Sequence, residues 1–224
     1  MITLHHLENS RSQRVLWLLE ELALPYKVQH YKRNPKTMLA PPELERVHPL
    51  GKSPVISDGK TVVAESGAII EYLLEAHGEG RLKPAAGTPE ARRFTYWLHF
   101  AEGSAMPPLL MKLVFAKIPS AVPFFIKPVA KAIAAGVNAQ FIDPNLLRQI
   151  AFMEAELKDH GPWFAGSAFS AADIQMSFPV EAADASGALG EKAPTLQDWL
   201  TRIHARAAYR RALEVGGPYS VTPR

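Results

Sequence analysis

The fold is decided by Gly51-Lys52-Ser53-Pro54-Val55-Ile56 together with the later segment Glu65-Ser66-Gly67-Ala68-Ile69-Ile70. Pro54 is expected to open a short buried strand, because a proline at the first position of a strand removes no ladder hydrogen bond. Asp58-Gly59 predicts a tight type I′ hairpin turn. Thr61-Val62-Val63 then forms the return strand, so the stretch predicts a β-hairpin.

Ser66 follows this hairpin and stands where a helix N-cap belongs. Behind it runs the apolar helical spacing Ile69, Ile70, Leu73, Leu74. The arrangement therefore brings the strand that begins at Pro54 close to the positive end of a helix dipole. A small peptide carrying a carboxylate could lie across both.

The first 79 residues alternate between strand and helix patterns in the order β-α-β, loop, β-β-α. A parallel strand pair needs the helical crossover that comes first, and the hairpin supplies an antiparallel pair. This order predicts an α+β, thioredoxin-like domain over residues 1–79. Its predicted elements are strands at 2–6 and 26–31, helices at 12–23 and 42–46, the hairpin, and the Ser66 helix ending at Gly78.

Residues 80–89 are rich in Gly, Pro and Ala and predict a linker. Beyond it strand patterns vanish, so residues 90–224 are expected to form an all-α domain. Helices are predicted at about 90–117, 125–140, 144–159, 170–186 and 195–214.

The start of the 170–186 helix carries Ser170 and Asp173 in capping-box positions, which we interpret as structural. Pro179 lies inside the same predicted helix. Because a proline removes one internal hydrogen bond, Pro179 is expected to kink or break the helix.

Composition excludes several classes of function. The chain has 224 residues, no cysteine and a formal net charge of +3. Disulfides, cysteine-ligated zinc and a cysteine nucleophile are therefore excluded, and no histidine spacing supports a metal site. No basic cluster interleaves with aromatic residues, so nucleic-acid binding is not expected. No apolar run is long enough to span a membrane, and a cytoplasmic location is expected.

The Ser53-Pro54 and Glu65-Ser66 motifs, in this order and spacing, resemble the glutathione-binding half of the glutathione S-transferase family. The two-domain plan extends this resemblance over essentially the whole chain. It implies a cis Ser53–Pro54 bond, with the Ser53 backbone pairing with the cysteinyl part of glutathione. It implies that Glu65 and Ser66 hold the γ-glutamyl end. Lys52 matches a position that contacts the glycyl carboxylate, or it is simply a solvated lysine.

The resemblance implies that glutathione is the co-substrate and that its thiol must be ionised. A free thiol has a pKa of about 8.5 and is mostly protonated at neutral pH. Lowering this pKa by about two units requires roughly 2.7 kcal/mol favouring the anion. One hydrogen bond to the charged sulfur supplies about 1.5–3 kcal/mol, and a helix N-terminus adds up to about 1 kcal/mol.

The loop between the first strand and the first helix offers two donors for this sulfur. In serine-type members of the family the hydroxyl lies four residues before a helix arginine, and Ser10 stands at that spacing from Arg14. A shift of one residue puts Asn9 there instead, and a purely structural loop is the third alternative. The loop looks bacterial in style. Arg14 is interpreted as a local partner of Glu8 and is left outside the site.

The second substrate, a small hydrophobic electrophile, is expected between the domains. The candidate contacts for it are Tyr96, Phe100, Met106 and Leu110. Residues 103–142 hold four lysines, five prolines and no acidic residue. This segment is a lid over the acceptor, an apolar surface for a membrane or partner, or bent helices that pack inward.

The sequence therefore predicts a glutathione S-transferase that uses no metal. A glutathione-dependent peroxidase or disulfide reductase, and a non-catalytic protein-binding module, are the alternatives. A twofold homodimer is also expected. In it the helix that begins at Ser66 would face residues 90–117 of the second copy, with Glu71 and Glu75 opposite Arg92, Arg93, Phe94, Tyr96 and Trp97.

Overall fold

The computed structural model describes residues 1–217 and 219. The amino-terminal part forms a four-stranded sheet in the order β2-β1-β3-β4. β1 pairs in parallel with β2 and antiparallel with β3, and β3 pairs antiparallel with β4. Its elements are β1 Ile2–Leu7, α1 Ser12–Glu21, β2 Tyr26–Tyr31, a 3₁₀ turn Pro42–Leu44, β3 Val55–Asp58, β4 Thr61–Ala64 and α2 Ser66–His77.

The hairpin between β3 and β4 differs from the prediction in its turn. Asp58 pairs with Thr61, so the two loop residues are Gly59 and Lys60. Of these two, only Gly59 has a positive φ, at 59°. A type I′ turn needs positive φ at both positions, whereas a type II′ turn needs it only at the first, usually a glycine. The predicted Asp58-Gly59 type I′ turn is therefore wrong, although the hairpin itself is confirmed.

The rest of the described chain is helical, which confirms the predicted fold class. α3 and α4 join through a π-helical turn into one long helix, and α5 and α6 join in the same way. The helices are α3 Pro89–Phe100, π turn Ala101–Ala105, α4 Met106–Ala121, α5 Lys127–Val137, π turn Asn138–Ile142, α6 Asp143–His160, α7 Ala171–Ala185, a 3₁₀ turn Gly190–Lys192, α8 Pro194–His204 and α9 Ala207–Gly216.

The single helix predicted over 195–214 is two helices. α8 ends at His204, and Arg206 has an extended backbone with ψ of 132° before α9 begins. The guanidinium of Arg206 pairs with Glu21 of α1, and its Nε donates to Glu21 Oε1 at 2.5 Å. A contact with a distant helix thus favours the break, and helical periodicity alone cannot predict such a contact.

The buried helix α7 begins as predicted, with Ser170 as its N-cap. The Asp173 carboxylate accepts hydrogen bonds from the backbone N–H groups of Ser170 and Phe164 at 3.0 and 2.9 Å. It also accepts from Trp199 Nε1 at 3.0 Å. α7 continues through Pro179, so the predicted break does not occur.

One hydrophobic core runs through both parts of the molecule. Trp17 of α1, Trp97 of α3 and Trp199 of α8 are all buried in it. Two aromatics that the sequence assigned to a dimer surface, Phe94 and Trp97, are 3% and 0% exposed and belong to this core. Their placement at an interface is therefore wrong. Residues 78–88, between α2 and α3, contain no helix or strand, and the domain boundaries stay a prediction.

Candidate functional site

The register of the sheet gathers the predicted site residues at one edge. Val55 pairs with Ala64, so Ser53-Pro54 and Glu65-Ser66 leave the β3–β4 hairpin at the same end. His5 pairs with Val55, so the carboxyl end of β1 lies at that end too. The loop with Asn9 and Ser10 follows β1 directly. The two predicted motifs and the predicted sulfur-contacting loop therefore converge.

Ser53 is fixed to β1 through its side chain. Its hydroxyl donates to the carbonyl of His5 at 2.9 Å and accepts from the backbone N–H of Leu7 at 3.3 Å. The Ser53–Pro54 peptide bond is cis, as the resemblance implies. Because the Ser53 hydroxyl is already bonded to β1, the Ser53 backbone is the part of this residue that can pair with a ligand. The serine thus has a structural use that the sequence did not reveal.

Ser66 is the first residue of α2, so the predicted N-cap is wrong by one position. The N-cap is Glu65, whose φ of 70° and ψ of 126° are unusual for a non-glycine residue. Ser66 is 2% exposed. Its hydroxyl accepts from Arg14 Nη2 at 3.1 Å and from Gln175 Nε2 at 3.5 Å. Glu65 is exposed, and its side chain stands at the N-terminus of the helix.

Arg14 links the sheet domain to the helical domain. It is 1% exposed, and its Nη1 donates to the carbonyl of Gln175 in α7 at 2.5 Å. Its Nη2 donates to the carboxylate of Glu102, in the π turn after α3. The interpretation of Arg14 as a partner of Glu8 is therefore wrong. Glu8 instead accepts from the backbone N–H of Arg33 at 2.9 Å.

Glu102 also binds Arg11, whose Nε lies 3.0 Å from Oε2. Burial opposes ionisation of Glu102, but the two arginines outweigh it and hold its pKa below the ordinary value. Both guanidinium groups lie over the ring of Phe178, at 5.3 and 5.4 Å from its centroid. An ionised Glu102 therefore neutralises part of the positive charge beside the loop.

Ser10 lies at the head of a buried chain of hydrogen bonds. Its Oγ is 2.8 Å from Ser12 Oγ, which is 2.9 Å from His6 Nδ1. The other ring nitrogen, His6 Nε2, lies 3.0 Å from the carbonyl oxygen of Gly216. Burial, together with the nearby His30, lowers the pKa of His6 to about 4, so the imidazole is neutral near pH 7.

The proton directions in this chain follow from the donor inventory. A carbonyl can only accept, so Nε2 of the neutral His6 carries the hydrogen and Nδ1 must accept. Ser12 has one hydroxyl hydrogen and two acceptors within reach, His6 Nδ1 at 2.9 Å and the carbonyl of Leu7 at 3.3 Å. Directing the hydrogen to the nearer Nδ1 satisfies that buried nitrogen. Ser12 Oγ is then the acceptor for the hydroxyl hydrogen of Ser10. The Ser10 Oγ in turn accepts from the Ser12 backbone N–H at 3.2 Å.

Asn9 lies at the outer side of this turn. It is exposed and has a left-handed backbone with φ of 49°. Asparagine tolerates this conformation better than most residues. Its carbonyl accepts from Arg33 Nη2 at 3.2 Å. Ser10, by contrast, is 6% exposed. The two sulfur-donor candidates thus differ sharply in their access to a ligand.

The four predicted electrophile contacts lie on one continuous helix and differ in exposure. Tyr96 stacks on Phe100 with ring centroids 5.7 Å apart, and both rings also contact Phe152. Met106 is 7% exposed and packs in the hydrophobic core. Leu110 is 52% exposed and lies eight residues beyond Glu102 on the same continuous helix. Lys52, predicted for the glycyl carboxylate, is exposed as well.

The described part of the chain shows no group of three or more side chains suited to binding a metal ion. Among the same residues, no helix combines the length and apolar character that crossing a bilayer needs.

Comparison with known proteins now identifies the family. The model of the glutathione S-transferase N-terminal domain matches residues 10–76, and that of the C-terminal domain matches residues 138–207. Glutathione S-transferase 1 of Saccharomyces cerevisiae is 32% identical over 222 residues, which cover 96% of this chain and 94% of the yeast protein. The chain belongs to the glutathione S-transferase family.

Two further relatives agree. Glutathione S-transferase 3 of Schizosaccharomyces pombe is 32% identical over 96% of this chain and 87% of its own. A crystal structure of a glutathione S-transferase from Actinobacillus pleuropneumoniae superposes with a TM-score of 0.80, at 31% identity over 98% of this chain and 94% of that one. The predicted glutathione S-transferase function is confirmed. The bacterial style of the loop stays a prediction, because the first two relatives are fungal.

Sequence reasoning missed four residues that organise the site: His6, Ser12, Arg14 and Glu102. Ser12 was visible as the start of α1, and Arg14 as a lone cation within an otherwise apolar helix face. A buried arginine almost always has a charged or polar partner. The partner Glu102 lies 88 residues away, and local spacing gives no sign of it.

Proposed function

We propose that this transferase binds glutathione along the sheet edge where β1 and the β3–β4 hairpin end. The Ser53 backbone pairs with the cysteinyl part, the start of α2 at Glu65 and Ser66 receives the γ-glutamyl end, and Lys52 meets the glycyl carboxylate. The observation that carries this proposal is the pairing of Val55 with Ala64, which puts both motifs at one end of the hairpin. The N-terminus of a helix favours a carboxylate through its free N–H groups and its dipole.

We propose Asn9, rather than Ser10, as the side-chain donor to the glutathione sulfur. The hydroxyl hydrogen of Ser10 points to Ser12, and redirecting it to a ligand would leave the Ser12 oxygen without that donor. Asn9 is exposed beside the start of α1, whose positive end also favours an anion. Ser10 then shapes the turn that presents Asn9.

The thiolate attacks the electrophile, and a new sulfur–carbon bond forms. When the acceptor is an aryl halide, the carbon–halogen bond breaks and the halide leaves with the bonding electron pair. The hydrogen-bond donor near the sulfur lowers the pKa of the thiol, so the thiol loses its proton to solvent at neutral pH and no protein general base is needed. We propose that Leu110 contacts the electrophile, since it is 52% exposed while Met106, the other sequence candidate on α4, is 7% exposed.

The test measures conjugation and binding together. Binding to immobilised glutathione and elution by free glutathione should be retained in the parent and weakened in Ser66→Ala. A panel containing an aryl halide, a hydroperoxide and a model disulfide, each with glutathione, should give its highest turnover with the aryl halide. Faster turnover of the hydroperoxide or the disulfide would contradict the conjugation chemistry while leaving the glutathione site intact.

We also propose that the protein is a twofold homodimer in the cytoplasm. With Phe94 and Trp97 in the core, the remaining candidates for the interface are Arg92, Tyr96 and the exposed face of α2 with Glu71 and Glu75. Arg93 is committed within its own chain, where Nη1 lies 2.7 Å from Glu156 Oε2. Light scattering at micromolar concentration should give about twice the 24.7 kDa chain mass. The mass of one chain would contradict the dimer.

A further inference from the structure

The helical hairpin of α4 and α5 extends beyond the hydrophobic core. In α4 the buried residues are Met106, Pro108 and Leu109, all in its first turn, and α5 buries Ala130 and Ala134. The core cluster contains no residue between Leu109 and Leu146. The outer part of the hairpin, residues 111–133, is therefore called the tip here.

The tip is rich in exposed apolar side chains. Phe124 and Phe125 are 81% and 68% exposed. The other exposed aromatics are less exposed: Phe141 at 55%, Tyr96 at 49% and Phe152 at 36%. Large contiguous apolar patches are uncommon on soluble proteins and mark a surface that binds something. The other exposed apolar residues of the tip are Leu113, Val114, Ile126, Val129 and Ile133.

The charge of the same segment has one sign. Residues 103–142 contain four lysines and no acidic residue. Lys112 pairs with Asp143 at 2.7 Å. Lys117, Lys127 and Lys131 are exposed and form no ion pair within the described residues. The tip thus presents apolar side chains beside three uncompensated positive charges.

We propose that the tip docks on an anionic membrane surface, with Phe124 and Phe125 inserted among the headgroups. Apolar side chains next to lysines are the combination that holds an amphipathic element at the interface of anionic lipids. The cytoplasmic leaflet carries such a negative surface potential. Docking of this kind needs no spanning helix.

Charge complementarity favours an anionic membrane over a second copy of the chain as the partner of the tip. If the tip lay on a twofold axis and met the tip of a second copy, three lysines of one copy would lie near three of the other. Like charges at an interface disfavour association. An anionic surface meets the same lysines with opposite charge, and its acyl boundary accepts the phenylalanines.

The test is co-sedimentation of the full-length protein with vesicles. The parent should bind phosphatidylserine-containing vesicles, release at high salt, and fail to bind pure phosphatidylcholine vesicles. Phe124→Ser with Phe125→Ser should weaken binding at least tenfold, since two apolar anchors are lost. Lys117→Gln, Lys127→Gln and Lys131→Gln together should weaken it about a hundredfold.

The matched control is Phe141→Ser with Leu147→Ser. These two side chains are each 55% exposed and lie on the same long helix at least about 21 Å from its start at Lys127. The control should bind as the parent does, and both double variants should keep conjugating activity, which shows that they fold.

Two results would overturn the proposal. One is an absence of binding to anionic vesicles, or binding that the Phe124 and Phe125 changes leave unaltered. The other is light scattering without lipid in which only the tip variant loses an oligomer, because the tip would then be a contact between copies.

Discussion

Ser12 Oγ lies 2.9 Å from His6 Nδ1, and this contact orients the hydroxyl of Ser10 toward the protein interior. The neutral imidazole of His6 requires a donor at Nδ1, and Ser12 supplies it. The hydroxyl of Ser10, which the sequence offered as the sulfur donor, is therefore engaged by Ser12, and Ser12 in turn contacts a histidine of the central sheet. The proposed donor to the glutathione sulfur is therefore Asn9, the outer residue of the loop.

The first prediction separates the two donors. Asn9→Ala should raise the pKa of bound glutathione by about one to two units, because a hydrogen bond to a charged acceptor supplies about 1.5–3 kcal/mol. Ser10→Ala should shift that pKa by less than about half a unit, and should lower the free energy of unfolding by about 1 kcal/mol through the lost Ser12 N–H contact. The pH dependence of conjugation measures both. A larger pKa shift in Ser10→Ala would restore Ser10 as the donor.

The second prediction concerns pH and His6. Its folded pKa of about 4 lies below the ordinary 6.5, so between these values the unfolded chain binds a proton that the folded chain excludes. The stability contributed by His6 is full above pH 6.5 and is lost as pH falls toward 4. His6→Asn, whose amide oxygen can accept from Ser12, should lose less stability over that interval. Chemical unfolding at a series of pH values measures the difference.

Asp173 titrates in the same pH interval, but its effect on folding stability has the opposite sign. The effect of His6 must therefore be measured as the difference between the parent and His6→Asn. Burial raises its pKa to about 6, against the effect of its hydrogen bonds, so its contribution favours folding at low pH and falls as pH rises toward 6. Asp173 is present in both proteins and cancels in the difference. Identical pH profiles for the parent and His6→Asn would contradict the role given to His6.

The third prediction tests Glu102. Glu102→Gln leaves the Arg14 charge buried with weaker compensation. It should reduce the free energy of unfolding by about 2 kcal/mol, less than the about 3–5 kcal/mol of a fully buried pair because Glu102 is partly exposed. Since Arg14 also holds Ser66, the KM for glutathione should rise several-fold. Steady-state kinetics and denaturant unfolding measure these effects.

Glu156→Gln is the matched control for Glu102→Gln, since it removes the partner of Arg93 in another partly buried pair. It should change stability by about 1 kcal/mol or less and leave the KM for glutathione unchanged. If both variants raise the KM equally, the coupling between Glu102 and Ser66 is wrong.

The fourth prediction concerns the folding of the helical domain. Asp173→Ala leaves the N–H groups of Phe164, Ser170 and Trp199 without their buried acceptor. Each such loss costs about 1–3 kcal/mol, so the free energy of unfolding should fall by at least about 3 kcal/mol. Trp199→Phe removes one of these bonds and should cost less. A loss smaller than that of Trp199→Phe would contradict the structural role of Asp173.

The sequence predicted the fold well because its local signals agree with its tertiary structure. The strand that Pro54 precedes, the hairpin, and the helix from Ser66 are each marked by neighbouring residues. The errors fall where a distant residue decides. The break between α8 and α9 falls at Arg206, which pairs with Glu21 of α1. Phe94 and Trp97 point inward because the facing helices supply a core.

The motifs of the candidate site were predicted from the sequence, but the hydrogen bonds and ion pairs that orient its residues were not. Ser53, Glu65 and Ser66 could be located from spacing and resemblance. The partners that orient the site, Arg14 with Glu102 and His6 with Ser12, are brought together by folding. The direction of the Ser10 hydroxyl depends on the protonation of a histidine four residues earlier, and a sequence contains no such information.

If the protein stabilises the thiolate of bound glutathione, ultraviolet titration of the binary complex will show it. The free thiol ionises with a pKa of about 8.5. We expect an apparent pKa of about 6.5 for glutathione bound to the parent protein, a shift worth roughly 2.7 kcal/mol. A saturated complex whose thiol still titrates near 8.5 would contradict it.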